Sequence, residues 1–204
     1  MEIKRVGVDL AKNVFQLHGV DRHEKPVWKD LRRLDVRIDE LDAELAAIVR
    51  ETPAAQRLLA LRGVGPTIAT ALVAALGTGE SFARGREFAV ALGLTPKHHG
   101  TGGKERILGI SKRGDAYLRQ LLVHGARAAV RTAKSKTDPL SGWINALLAH
   151  KHSNVVTVAL ANKTARMAWA LIRHDVDYDP ALAANRVHER KPHARDPTYD
   201  CEGV

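Results

Sequence analysis

The sequence predicts a mostly α-helical protein with three parts: a short N-terminal β-hairpin, a long coiled-coil-like helix, and a helical domain containing a helix-hairpin-helix. Three observations predict it. Strand-like alternation of apolar residues is confined to the first stretch, "KRVGVDLAKNVFQLHGVD". Leu31, Leu34, Ile38, Leu41, Leu45 and Ile48 then recur at alternating spacings of three and four, the pattern of an a/d seam. From Pro53 to about Arg173 the apolar pattern is helical, punctuated by Gly and Pro, and no second β-rich region is expected.

Composition supports this division. The chain of 204 residues is 45% hydrophobic and 27% charged, as globular proteins are. Only 4% is aromatic, so the core is expected to be Leu, Val, Ala and Ile. The formal net charge of +9 marks a polyanion partner, nucleic acid before acidic membrane. No apolar run approaches the ~18 residues of a membrane span. The N-terminus does not read as a signal peptide. Cys201 is the single cysteine, which excludes a disulfide framework and a cysteine zinc site. A cytoplasmic location is expected.

The elements follow in order. Val6 and Val8 alternate with small or polar neighbours, a turn falls near Lys12 and Asn13, and "VFQLHGV" alternates again. After Asp21, "RHEKPVWKDLRR" reads as a linker. The seam helix follows, and its other faces carry Asp35, Arg37, Asp39, Glu40, Asp42 and Glu44. It suits either one amphipathic helix or a dimeric coiled coil. Further helices are expected near 54–61, 67–76, 84–92, 114–132, 140–150 and 155–173. The tail from His174 is polar and proline-containing, and is expected to be loose. The domain reading is therefore 1–30, 31–52, 53–175 and 176–204.

Four motifs bear on chemistry. Gly63-Val64-Gly65-Pro66 lies between two apolar helical runs, the helix-hairpin-helix pattern. Its glycines permit a tight turn, and the next helix can offer free N–H groups to a phosphate, with Thr67 as a cap or contact. An ordinary αα-hairpin favours the same residues. Between Lys97 and Lys136 the chain places ten Lys or Arg against only Glu105 and Asp115, a concentration expected of a phosphate-contacting surface. Within that window Gly100-Thr101-Gly102-Gly103 follows His98 and His99. It lacks the spacing of a nucleotide-binding P-loop. Lastly, Asp9 stands near the end of the first strand run, where a ribonuclease-H-type nuclease holds a divalent ion; one carboxylate alone cannot do that work, and on spacing alone a turn residue is the better reading.

"VGVDLAKNVFQLHGVD" resembles the start of the DEDD transposases of bacterial insertion sequences, the Piv/MooV-like or insertion-sequence one-ten family. "LRGVGPTIATALVAALG", "FARGREFAVALGLTPKHHGTGGKERILGISKRGDAYLRQLLVHGARAAV" and "KSKTDPLSGWINALLAHKHSNVVTVALANKTARMAWALI" resemble that family's C-terminal transposase domain. The resemblance implies site-specific DNA recombination, a metal-binding DEDD domain, a serine in the C-terminal domain and, in some members, a structured guide RNA. It makes residues 1–30 a remnant of a ribonuclease-H-like domain, internally shortened. Asp9 matches the first acidic ligand, for Mg²⁺, and the other acidic ligands have no counterpart. Thr101 stands at the serine position as the implied nucleophile. The nucleic-acid contacts implied together with the basic window are Gly63, Gly65, Thr67, Lys97, His98, Gly102, Lys104, Arg106, Ser111, Lys112, Arg113 and Arg119.

Two functions are therefore expected. The first is a DNA-binding protein of an insertion sequence with an impaired catalytic centre. The second is a non-enzymatic nucleic-acid-binding dimer, paired through residues 31–50, that binds or inhibits an intact transposase.

Overall fold

A computed structural model describes residues 5–11, 14–20, 29–101 and 104–181. The chain divides into two compact units, residues 1–48 and residues 49–204. In the first, β1 (Arg5–Ala11) and β2 (Val14–Val20) form an antiparallel hairpin running from the Arg5↔Val20 pair to the Ala11↔Val14 pair. The expected strands are there, and the expected turn at Lys12 and Asn13 lies outside the described residues. Asp9 lies within β1, opposite Gln16.

Helix α1 (Lys29–Glu51) begins two residues before the seam, inside the segment read as a linker. Its aliphatic stripe is uncovered: Leu34, Ile38 and Leu41 are 57%, 54% and 42% exposed. On its charged side Arg37 lies 2.9 Å from Glu40 and 4.0 Å from Glu44. Such exposed pairs contribute only a few tenths of a kcal/mol each. The helix buries little of its own, so its stability in isolation rests on propensity.

The second unit contains α2 (Pro53–Leu59), α3 (Pro66–Leu76), α4 (Gly85–Ala91), α5 (Ala116–Thr132), α6 (Pro139–Leu148) and α7 (Ser153–Arg173). Prolines open α2, α3 and α6, where a missing N–H costs nothing. Asp115 caps α5 by accepting from the Leu118 amide at 2.9 Å, and Asp138 caps α6 by accepting from Ser141 at 3.2 Å. Helix α7 is the axis of the unit and touches α2, α3, α4, α5 and α6. Its inward face is narrow, with Ala161, Ala165 and Ala168 fully buried beside Val156 and Leu160. Small residues let neighbouring backbones approach, and Phe88, Leu72, Leu92 and Leu122 fill the space around them. Trp169 fastens the α3–α4 loop, its Nε1 donating to the carbonyls of Gly79 at 3.0 Å and Phe82 at 3.2 Å.

One expectation is overturned. A second sheet exists, made of β3 (Pro96–Thr101) and β4 (Lys104–Ile110) paired antiparallel. Its strands, "PKHHGT" and "KERILGI", lack the clean apolar alternation by which a strand is read from sequence. The Gly-Gly pair between them is itself a two-residue hairpin signal. The start of the tail also differs from a loose segment: Arg57 pairs with Asp175, and with Asp177 at 3.2 Å, while Tyr178 packs against the core.

Candidate nucleic-acid interface

The Ala60–Gly65 turn joins α2 to α3 and rests against the middle of α5. Gly63 has φ +82°, and a Cβ there would lie 2.4 Å from the Gly125 carbonyl oxygen. The relation is mutual, since a Cβ on Gly125 would lie 2.0 Å from the Gly63 oxygen. Two main chains therefore touch with no side chain between them. Gly65, the residue before α3, is different: a Cβ there would meet nothing within 4 Å. Thr67 is exposed in the first turn of α3, so the N-terminal amides of this helix face open space, a suitable approach for an anion.

Arg62, within this turn, is a residue that the sequence did not single out. Its guanidinium reaches Asp138 through Nη2 and the Ser141 hydroxyl through Nη1. Ser141 is fully buried and donates back to Asp138 at 2.8 Å. Burial pushes the Asp138 carboxyl up. The bonds from Ser141 and Arg62, with the nearby guanidinium charge, outweigh burial and hold it below its ordinary value. Tyr178 titrates higher than usual, first through burial and then through the charge of Asp138, with Arg62 opposing. The cluster ties the turn to the start of α6. Its only sequence signal is the capping pattern of "TDPLS", which says nothing of a partner so distant along the chain.

The second region is the loop from β4 into α5, "SKRGD". It crosses the turn after α4 main chain on main chain. Ser111 N donates to Thr95 O at 2.9 Å, Lys112 N to Gly93 O at 3.1 Å and Asp115 N to Ala91 O at 3.1 Å. A Cβ on Gly93, at φ +66°, would fall 2.1 Å from Arg113 O, and one on Gly114, at φ +96°, 1.7 Å from Ala91 O. Both positions admit glycine alone. Arg119 ties the same turn, its Nη1 donating to Leu92 O at 2.9 Å. Held this way, Lys112 and Arg113 are exposed, and Lys112 adopts a left-handed φ of +56°. A non-glycine residue there is strained by about 1 kcal/mol or more. Ser111 accepts a long bond, 3.4 Å, from the Arg113 amide.

Of the remaining expected contacts, Lys97 and His98 are exposed on β3. Thr101 pairs with Lys104 at the hairpin end, and Arg106 pairs with His99. Gly102 lies outside the described residues. Asp9 belongs to the other unit. Among the described residues no group of three or more His, Cys, Asp or Glu is placed to hold a metal ion. No helix among the described residues is long and apolar enough to cross a membrane.

Residues 55–139, which span the turn, the crossing loop and α5, match the family described as "Transposase IS116/IS110/IS902 family". The chain is 50% identical over 151 residues to a Pseudomonas aeruginosa protein named "Probable family 20 transposase", covering 74% of this chain and 45% of that one. It is 40% identical over 152 residues to the transposase for insertion sequence element IS1111A of Coxiella burnetii, covering 74% and 42%. It is 42% identical over 135 residues to the transposase for insertion sequence element IS1328 of Yersinia enterocolitica, covering 66% and 40%. Residues 55–139 are thus similar to this transposase family, and the chain spans less than half the length of these relatives.

Proposed function

We propose that this chain is a DNA-binding protein of an insertion sequence, in which the 49–204 unit holds a phosphate backbone for transposition. The observation that carries the reading is the crossing loop. Three main-chain hydrogen bonds and two obligatory glycines support a strained, exposed Lys112 beside Arg113. Strain kept at an exposed cation is of little use to folding and useful to binding. The open N-terminus of α3, reached through Gly65 and Thr67, is a second backbone contact in the manner of a helix-hairpin-helix. Lys97, His98, Lys104, Arg106 and Ser111 extend the surface, and Arg119 acts by holding the loop.

In this reading residues 1–30 are a shortened ribonuclease-H-like remnant, as in DEDD transposases with a C-terminal serine. Thr101 takes the serine's place as nucleophile, and Asp9 is one of several ligands that Mg²⁺ requires. The chain by itself cleaves DNA poorly or not at all. A metal-dependent covalent DNA–protein product in a single-turnover assay overturns that statement. Partner DNA, a structured guide RNA and a cytoplasmic site of action belong to the same proposal.

The uncovered stripe of α1 favours a second reading, a non-enzymatic dimer that binds or inhibits an intact transposase. Leu34, Ile38 and Leu41 stand exposed in seam spacing, as a helix awaiting a matching helix would show. Co-purification with an intact relative, lost when these three become serine, supports it.

The deciding test is binding of the full chain to duplex DNA and to structured RNA across a salt series. A steep fall with salt, with loss in Lys112→Ala/Arg113→Ala, is expected. Affinity insensitive to both refutes the assignment.

A further inference from the structure

Helix α5 carries a cationic surface that neither the turn nor the crossing loop uses. Its core side is Leu118, Leu122, Ala126, Ala129 and Val130. The other side exposes Tyr117, Gln120, His124, Arg127 and Arg131. Their spacings of three, four, three and four place them in one stripe along the helix. Lys134, exposed in the following 3-10 turn (Ala133–Ser135), comes next along the chain. Between Asp115 and Asp138 the sequence contains no Asp or Glu, so no carboxylate of this element neutralises the stripe. A solvated face ordinarily mixes both signs, as α1 does.

Two further features identify the occupant. Tyr117 is 60% exposed at the end of α5 nearest Arg113 along the chain, and a tyrosine ring left in water offers a stacking face. Beside Lys134 lies a depression of about 510 Å³, lined also by Lys151, Asn145 and Ser153, a size that admits a nucleotide. From Tyr117 to Arg131 the stripe runs about 21 Å at ~1.5 Å per residue, the rise of roughly six stacked nucleotides.

We propose that the outer stripe of α5 is a track for one single strand of nucleic acid. Tyr117 stacks on an unpaired base at one end, and Arg127, Arg131 and Lys134 meet successive phosphates toward the depression. The inference rests on the nucleic-acid reading above and extends it from the loop to the helix. A duplex fits less well, because its bases are already stacked and leave no face for Tyr117.

The test is fluorescence anisotropy of the full chain with a labelled oligodeoxythymidine strand and with a duplex of equal length, across a salt series. Arg127→Ala/Arg131→Ala/Lys134→Ala is expected to weaken strand binding roughly 10- to 100-fold. It should also lower the salt slope by about 2, at ~0.7 per phosphate of a single strand. Arg127→Lys/Arg131→Lys keeps charge and helix and is expected to keep the slope. Tyr117→Ala loses roughly tenfold on the strand alone, whereas Tyr117→Phe does not. A triple variant with unchanged affinity, alongside a weakened Lys112→Ala/Arg113→Ala, overturns the track and leaves the loop reading intact. Equal losses on duplex and strand, or no effect of Tyr117→Ala, overturn the single-stranded occupant. Binding of the wild-type chain to neither nucleic acid overturns both readings, as does binding to anionic vesicles alone.

Discussion

Helices α1 and α5 share one sequence spacing and show opposite faces to water. In α1 the three-four stripe is aliphatic and exposed, and the charges around it are of both signs, with Arg37 paired to Glu40. In α5 the aliphatic stripe is buried, and the exposed three-four stripe carries a single sign. Periodicity states that a helix has two faces; the partner decides which one is hidden. The lesson is about charge. Where both signs interleave, the helix has settled its electrostatics by itself, and its unmet need is apolar. Where one sign runs unopposed over a finished core, the unmet need is an anion.

The largest expected effect tests whether the α5 side depends on its scaffold. Gly114→Ala forces a side chain into the Ala91 carbonyl at a left-handed φ, and should cost about 3–5 kcal/mol in urea unfolding. Loss of less than about 1 kcal/mol would mean that the crossing yields easily.

Next is the Arg62–Asp138 clamp. Asp138→Asn is expected to cost about 1–2 kcal/mol at neutral pH, from cap and ion pair together. Because the folded carboxyl titrates below its unfolded value, this contribution is complete above the unfolded pKa of about 4 and fades as pH falls through the lower folded one. Thermal melts of both proteins should therefore converge in acid, and a gap that persists there would assign the loss to packing.

A smaller effect has the opposite sign. Lys112→Gly relieves the left-handed backbone and should raise stability by up to about 1 kcal/mol while weakening DNA binding. If it melts lower, Lys112 contributes to folding. Smallest of all, serine at Leu34, Ile38 and Leu41 should move chemical unfolding of the 49–204 unit by no more than about 0.5 kcal/mol. Sedimentation should instead show whether self-association falls. Unchanged association removes α1 as a contact between chains.

The sequence made local periodicity legible and left long-range juxtaposition hidden. Expected helices at 67–76, 114–132 and 155–173 lie within two residues of α3, α5 and α7, because each is set by its own apolar spacing, helped by Pro66 at the start of α3 and Asp115 at the start of α5. The β3–β4 hairpin escaped notice because "PKHHGT" and "KERILGI" carry no clean period-two signature. Gly63 and Gly65 looked like equals in the motif. Only packing separates them: one is fixed by a backbone on α5, while the other faces open space. Likewise Arg119 read as one more cation of a basic window, yet its guanidinium is engaged by a carbonyl of the turn it secures. Arg62 left no trace, since its partners lie 76 and 79 positions away.

The reciprocal contact of Gly63 and Gly125 has a mechanical side. Side chains can rotate and absorb a displacement; two main chains in contact have no such slack. In the proposed backbone contact, a push on the turn would be handed to the middle of α5 as through a fulcrum. One end of that lever holds the crossing loop, and the other leads toward Lys134.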